Sequence, residues 1–155
     1  MTIIRTASFP EDAAGVVDIW REFVASPSVS LDYQCNEAEF AALPGKYARP
    51  AGCVLLAERD GAIDGCIAFR CVTPAIAEMK RLYVRPRARG ERLGHKLIAR
   101  LIEEARGAGY SEIRLDVLAE FIQAQKLYAE FGFVAAEAIS YNPLPGTAFL
   151  GLKLK

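Results

Sequence analysis

Lys80-Arg81-Leu82-Tyr83-Val84-Arg85-Pro86-Arg87-Ala88-Arg89-Gly90-Glu91-Arg92-Leu93-Gly94 leads from a strand, through a basic turn, into a helix. Pro86 cannot donate to a strand ladder, so the extended run ends before it. From Leu93 onward, Leu97, Ile98, Leu101, Ile102 and Ala105 recur at helical spacing, with Lys96, Arg100, Glu103 and Glu104 on the opposite face. A helix reached through such a turn directs unpaired N–H groups and about half a positive charge at whatever stands before it, an arrangement that binds phosphate. Gly90 and Gly94 let the backbone approach an anion with no Cβ in the way, and Arg87, Arg89 and Arg92 supply charge for phosphate oxygens. The spacing fits neither the Gly-x-x-x-x-Gly-Lys-Ser/Thr loop nor Gly-x-Gly-x-x-Gly, which argues against an ATP-hydrolysing P-loop and against a dinucleotide fold. A different pyrophosphate is expected.

Upstream of this stretch, Ile3 to Thr6 reads as a short strand and Pro10 as the first turn of a helix that turns Val16, Ile19, Trp20, Phe23 and Val24 to one side. Residues 26–50 are irregular, with a short helix expected from Asn36 to Leu43 under an Asn36 cap. Cys53 to Glu58 and Ile63 to Val72 form a hairpin about Asp60-Gly61, and Ile76 to Val84 adds a third antiparallel strand. Downstream, a strand from Ile113 to Val117 precedes a helix from Gln123 to Phe131 that Gly132 stops. Phe133 to Ala136 resumes extended structure, and turns at Asn142-Pro143 and Pro145-Gly146 lead to a last strand, Thr147 to Leu154. No repeat or linker interrupts the chain, so residues 1–155 are expected to form a single domain. The fold class is α/β (α+β mixed sheet): six or seven strands, antiparallel at first, helices on both faces, and a V-shaped opening near Val84.

With 52% apolar and 25% charged residues, the chain is composed as a self-sufficient globular domain. Lys plus Arg and Asp plus Glu both number 19, so no global field draws it to nucleic acid or membranes. The cluster from Lys80 to Arg92 is local, and no aromatic platform interleaves its arginines as a nucleic-acid surface would require. Cys35, Cys53, Cys66 and Cys71 form no Cys-x-x-Cys pair and have no histidine at ligand spacing, so they read as reduced thiols and no metal site is expected. With no charged leader followed by an apolar run, and no long apolar span, a cytoplasmic protein without membrane attachment is the expectation.

Arg89 to Gly94 resembles the Gln/Arg-x-x-Gly-x-Gly/Ala signature of the GNAT superfamily of N-acetyltransferases, and Arg81 to Pro86 resembles the strand that leads into it. Arg92 stands at the family's inner glycine, so its side chain must lean outward. Ala124, Leu127, Tyr128, Gly132 and Phe133 reproduce the family's Ala-x-x-Leu-Tyr-x-x-x-Gly-Phe pattern beside the coenzyme. The likeness covers residues 54–136 well and 1–53 in outline; the tail from Tyr141 to Gly146 is similar to one branch of small bacterial GNAT proteins.

This resemblance implies acetyl-CoA as co-substrate and direct transfer of acetyl to a primary amine, on a small molecule or a peptide, within a ternary complex. It implies that the coenzyme meets Leu82, Tyr83, Val84, Arg87, Arg89, Gly90, Glu91, Arg92, Leu93, Gly94, His95, Ala124 and Lys126. The backbones of Leu82 and Val84 would pair with the pantetheine arm as an added strand. Tyr128 matches the tyrosine that protonates the departing thiolate, and a phenol is protonated at neutral pH. Glu78 is the candidate base, because an alkyl ammonium must lose a proton before attack; the other reading is a strand carboxylate paired with Lys80 or Arg81. Asp116 and Glu137 are weaker candidates, since nothing in their spacing ties them to the thioester. Phe121 occupies the position where many relatives carry asparagine. His95 reads as an exposed residue or a phosphate contact, and Tyr33 with Tyr47 as either shaping the acceptor site or packing. A non-catalytic acyl-CoA sensor is the alternative function, and a homodimer completed by the final strand is left open.

Overall fold

The computed structural model describes residues 1–31 and 36–154, so Tyr33 and Cys35 lie outside the described residues. Seven strands form one sheet: β1 (Thr2–Thr6), β2 (Cys53–Arg59), β3 (Ala62–Thr73), β4 (Ile76–Val84), β5 (Glu112–Val117), β6 (Val134–Ala135) and β7 (Ala148–Lys153). Their order is β1-β2-β3-β4-β5-β7-β6. Every neighbouring pair is antiparallel except β4 and β5. Asp60 and Gly61 turn β2 into β3 with φ of 52° and 81°; two left-handed residues are what a two-residue hairpin turn needs.

Helices cover both faces: α1 (Ala13–Ala25), α2 (Asn36–Ala41), α3 (Leu93–Gly107) and α4 (Ile122–Glu130). The alternation of the strands divides the core in two. Leu55, Ile67, Phe69 and Met79 pack under α3 with Leu97, Ile98 and Leu101. Val54, Leu56, Ala68 and Tyr83 pack on the other side with Val16, Ile19 and Trp20 of α1.

Three local expectations differ from the structure. Pro10 lies in the turn before α1: the Asp12 carboxylate accepts from Arg5 and from the Ser8 amide, and the helix begins at Ala13. Asn36 turns its side chain to the Leu31 carbonyl and to Arg81, and α2 stops at Ala41. The final strand is not a free edge: β7 has β5 on one side and β6 on the other, so its ladder is filled within the chain.

Candidate active site

Parallel pairing of β4 with β5 extends only over Ile76–Glu112, Ala77–Ile113 and Glu78–Arg114. Beyond Glu78 the two strands diverge, so the opening begins at Met79, well before Val84. The cause lies in β4. Arg81 has φ of 66°, and the ladder slips there: Lys80 opposes Ala68 while Tyr83 opposes Cys66. An extra residue in one strand bends it and re-aims its side chains. The bulge is held by burial of Arg81, which is 3% exposed. Its Nη2 donates to Glu39 Oε1 at 2.6 Å and Asn36 Oδ1 at 3.1 Å, and its guanidinium lies 5.0 Å from the Trp20 ring centre.

The divergence leaves a cleft whose walls include Lys80, Arg81 and Leu82 from β4, Asp116 and Val117 from β5, and Ala124 and Tyr128 from α4. Phe23, Leu31 and Asn142 also line it. Tyr128 is buried against Phe133, with ring centres 5.6 Å apart. Burial, with the Asp116 charge adding to it, holds its phenol well above the ordinary range. Asp116 accepts from Asn142 Nδ2 at 3.0 Å. Burial also raises the Asp116 carboxyl, and the charge of Glu78 pushes the same way against that hydrogen bond. Lys80 is lowered by burial, opposed by the Glu78 charge.

The fold brings Tyr128, Leu82 and Ala124 into the cleft; Glu78 is not among its lining residues. Glu78 is 2% exposed, and both its oxygens are engaged: Arg70 Nε donates to one at 2.8 Å and Ser140 Oγ to the other at 3.1 Å. Asp116, which the spacing ranked lower, stands in the cleft with Tyr128, and Asn142, read only as a turn residue, orients it. Asp116 lies on β5 and Asn142 in the loop before β7, so their meeting is long-range and no local pattern in the sequence signals it. Tyr47 is core: its ring meets Trp20 edge-on at 5.0 Å and its hydroxyl donates to Glu39 at 2.8 Å.

The basic turn is exposed from Arg89 to Arg92. Gly90 has φ of 94° with open space where a Cβ would stand, and Arg92 itself adopts the left-handed conformation, φ 55°, just before α3. Its side chain leans outward to Glu130 at 3.3 Å. The amides of Gly90 through His95 have no acceptor among the described residues, and the first α3 bond is that of Lys96 to the Arg92 carbonyl. Arg87 pairs with the buried Asp64 at 2.6 Å, Glu91 with Arg59, and Arg89 donates to the Val84 carbonyl while its guanidinium lies over Tyr83. The Tyr83 hydroxyl donates to Glu22, His95 stacks on Phe131 at 4.6 Å, and Lys126 is exposed on α4. The bared amides, the glycine with room above it and the open cleft edge of β4 fit the pyrophosphate and extended arm of a coenzyme A.

The model of the acetyltransferase (GNAT) family matches residues 16–133. The chain belongs to the GNAT acetyltransferase family. An uncharacterized N-acetyltransferase of Schizosaccharomyces pombe is 33% identical over 97% of this chain and 94% of its own. A GNAT-family acetyltransferase of Staphylococcus aureus shares the fold with a TM-score of 0.82 at 18% identity, all of both chains being covered. The PaiA N-acetyltransferase of Thermoplasma acidophilum, solved in complex with coenzyme A, matches with a TM-score of 0.78 at 19% identity over 99% of each chain. As a GNAT protein the chain is an acyl-CoA-dependent N-acyltransferase, and acetyl transfer is its chemistry.

Proposed function

We propose that this protein acetylates a primary amine by direct attack on acetyl-CoA inside the cleft between β4 and β5. The observation that carries the proposal is the meeting of Tyr128, Asp116 and the free edge of β4 in one opening. Bound acetyl-CoA supplies the thioester carbonyl that the amine attacks. Gly90 through His95 hold the pyrophosphate with their amides, with Arg87, Arg89, Arg92 and Lys126 within the same surface; Leu82, Tyr83 and Val84 offer backbone groups to the pantetheine, and Ala124 borders it. The exposed pair of Arg92 with Glu130 can re-form toward phosphate, since such pairs contribute only about 0–1 kcal/mol, whereas Arg87 stays tied to the buried Asp64.

The proton balance follows from the cleft. As the N–C bond forms and the C–S bond breaks, the amine gives up a proton and the thiolate needs one. Tyr128, kept protonated by its raised pKa, donates to the sulfur. Asp116, with its affinity for a proton raised, accepts from the amine. Glu78 acts behind it: its charge raises Asp116, and its own oxygens are held by Arg70 and Ser140. The test is release of free thiol from acetyl-CoA over a panel of amines, wild type beside Tyr128→Phe. The expected result is release that falls about 100-fold in kcat in the variant, with KM for acetyl-CoA little changed. Coenzyme binding with no thiol release over the panel would instead favour a sensor of acyl-CoA.

A further inference from the structure

The acceptor end of the cleft carries a charge imbalance. Lys80 lines it and has no ion-pair partner among the described residues. Of the carboxylates whose charge acts on Lys80, Glu78 and Glu39 are already committed, and Asp116 shares the cleft without a hydrogen bond to it. Glu78 is held by Arg70 at 2.8 Å, and Glu39 is shared between Arg81 at 2.6 Å and Lys46 at 2.9 Å. One carboxylate between two cations leaves positive charge over, and Arg81 has Nε and Nη1 buried with no acceptor. A half-buried ammonium without a counter-ion is costly, and a ligand anion relieves that cost.

The remaining walls describe the rest of the ligand. Asp116 has one oxygen engaged by Asn142, which leaves the other for an ammonium. Phe23, Leu31, Leu118 and Phe121 form an apolar side of the same cleft. Cation, carboxylate and apolar wall together are the complement of a zwitterion with a hydrocarbon side chain.

Building on the acetyltransferase reading, we infer that the acceptor is an α-amino acid with an apolar side chain, its carboxylate bound by Lys80, its amine by Asp116 and its side chain by Phe23, Leu31, Leu118 and Phe121. Arg81 supplies positive potential behind Lys80 rather than a contact, since its free nitrogens are enclosed.

The test is calorimetric titration of the protein saturated with coenzyme A, using leucine, methionine and phenylalanine, each beside its amide and its decarboxylated amine. At least one amino acid is expected to bind about 10- to 100-fold more tightly than its counterparts that lack the carboxylate, as loss of a charge-assisted contact predicts. Lys80→Met should abolish that preference and Lys80→Arg restore most of it, with coenzyme A binding retained in both as the check on folding. Equal affinity for acid and amide, binding of none of the amino acids, or a preference that survives Lys80→Met would overturn the inference while leaving the acetyltransferase reading intact. Failure of coenzyme A itself to bind would overturn both.

Discussion

Arg92 occupies a backbone conformation that glycine adopts freely and arginine does not, at a strain of roughly 1–2 kcal/mol. Its pair with Glu130 is exposed and offsets little of that. Arg92→Gly is therefore expected to stabilise the protein, by less than about 1 kcal/mol once the added freedom of the unfolded chain is counted, raising Tm by a few degrees. Gly90→Ala, at φ 94°, should do the opposite and also weaken acetyl-CoA binding measured by calorimetry, because its Cβ would stand in space open to the ligand. Asp116 separates stability from activity. Its folded-state pKa is raised, so the ionised form present at neutral pH is disfavoured by folding, and the protein is the more stable for its removal. Asp116→Asn should raise Tm at pH 7 while lowering kcat about 100-fold and erasing the acid limb of the rate profile. Glu78→Gln should keep that limb but move it toward lower pH, since one of the charges that lifts Asp116 is gone.

At the scale of elements, the divergence of β4 from β5 makes the cleft, and it was only partly legible in the sequence. The hairpin of β2 and β3 is written locally in Asp60-Gly61, and α3 in its apolar periodicity, so both are readable without tertiary knowledge. The basic turn into α3 was legible as a turn for the same reason, being contiguous from Arg87 to Gly94. The bulge at Arg81 was not. An arginine in the left-handed region has no propensity behind it and is held by Glu39, Asn36 and Trp20, all distant in sequence. The surroundings of Glu78 were hidden for a related reason: its partners Arg70 and Ser140 come from β3 and from the loop before β7, and strand alternation says nothing of either. The short 3₁₀ turn at Gly45–Tyr47 carries a prediction of its own. A Cβ on Gly52 would fall 2.5 Å from the Lys46 carbonyl oxygen and from Tyr47 Cα, both backbone atoms that cannot swing aside. Gly52→Ala should cost about 3 kcal/mol or more in denaturant unfolding, because it displaces the turn that seats Tyr47 in the core.

For the whole molecule, the link between layers runs through Glu39. From α2 it reaches Arg81 on β4, Lys46 in the turn and the Tyr47 hydroxyl. Burial pushes its carboxyl up, but Arg81 and Lys46 more than reverse this and hold it at about 2, against an ordinary 4.5. A folded-state pKa below the unfolded one gives stability that is present above 4.5 and lost as pH falls toward 2. Urea unfolding should accordingly weaken across that window. Glu39→Gln should be less stable at pH 7 by roughly 3–5 kcal/mol, because it strands Arg81 in the core, and should show a flatter response to acid. No helix among the described residues is long and apolar enough to cross a membrane.

The interior position of β7 ties completion of the sheet to the order of synthesis. A ribosome delivers residues 148–153 after every other strand has emerged, yet β5 and β6 touch only through them. Until then the side of β5 that pairs with β7 is a bare template. A chain truncated before Ala148 should expose that flank of β5 and aggregate or bind an extended peptide there, whereas residues 148–153 close the gap.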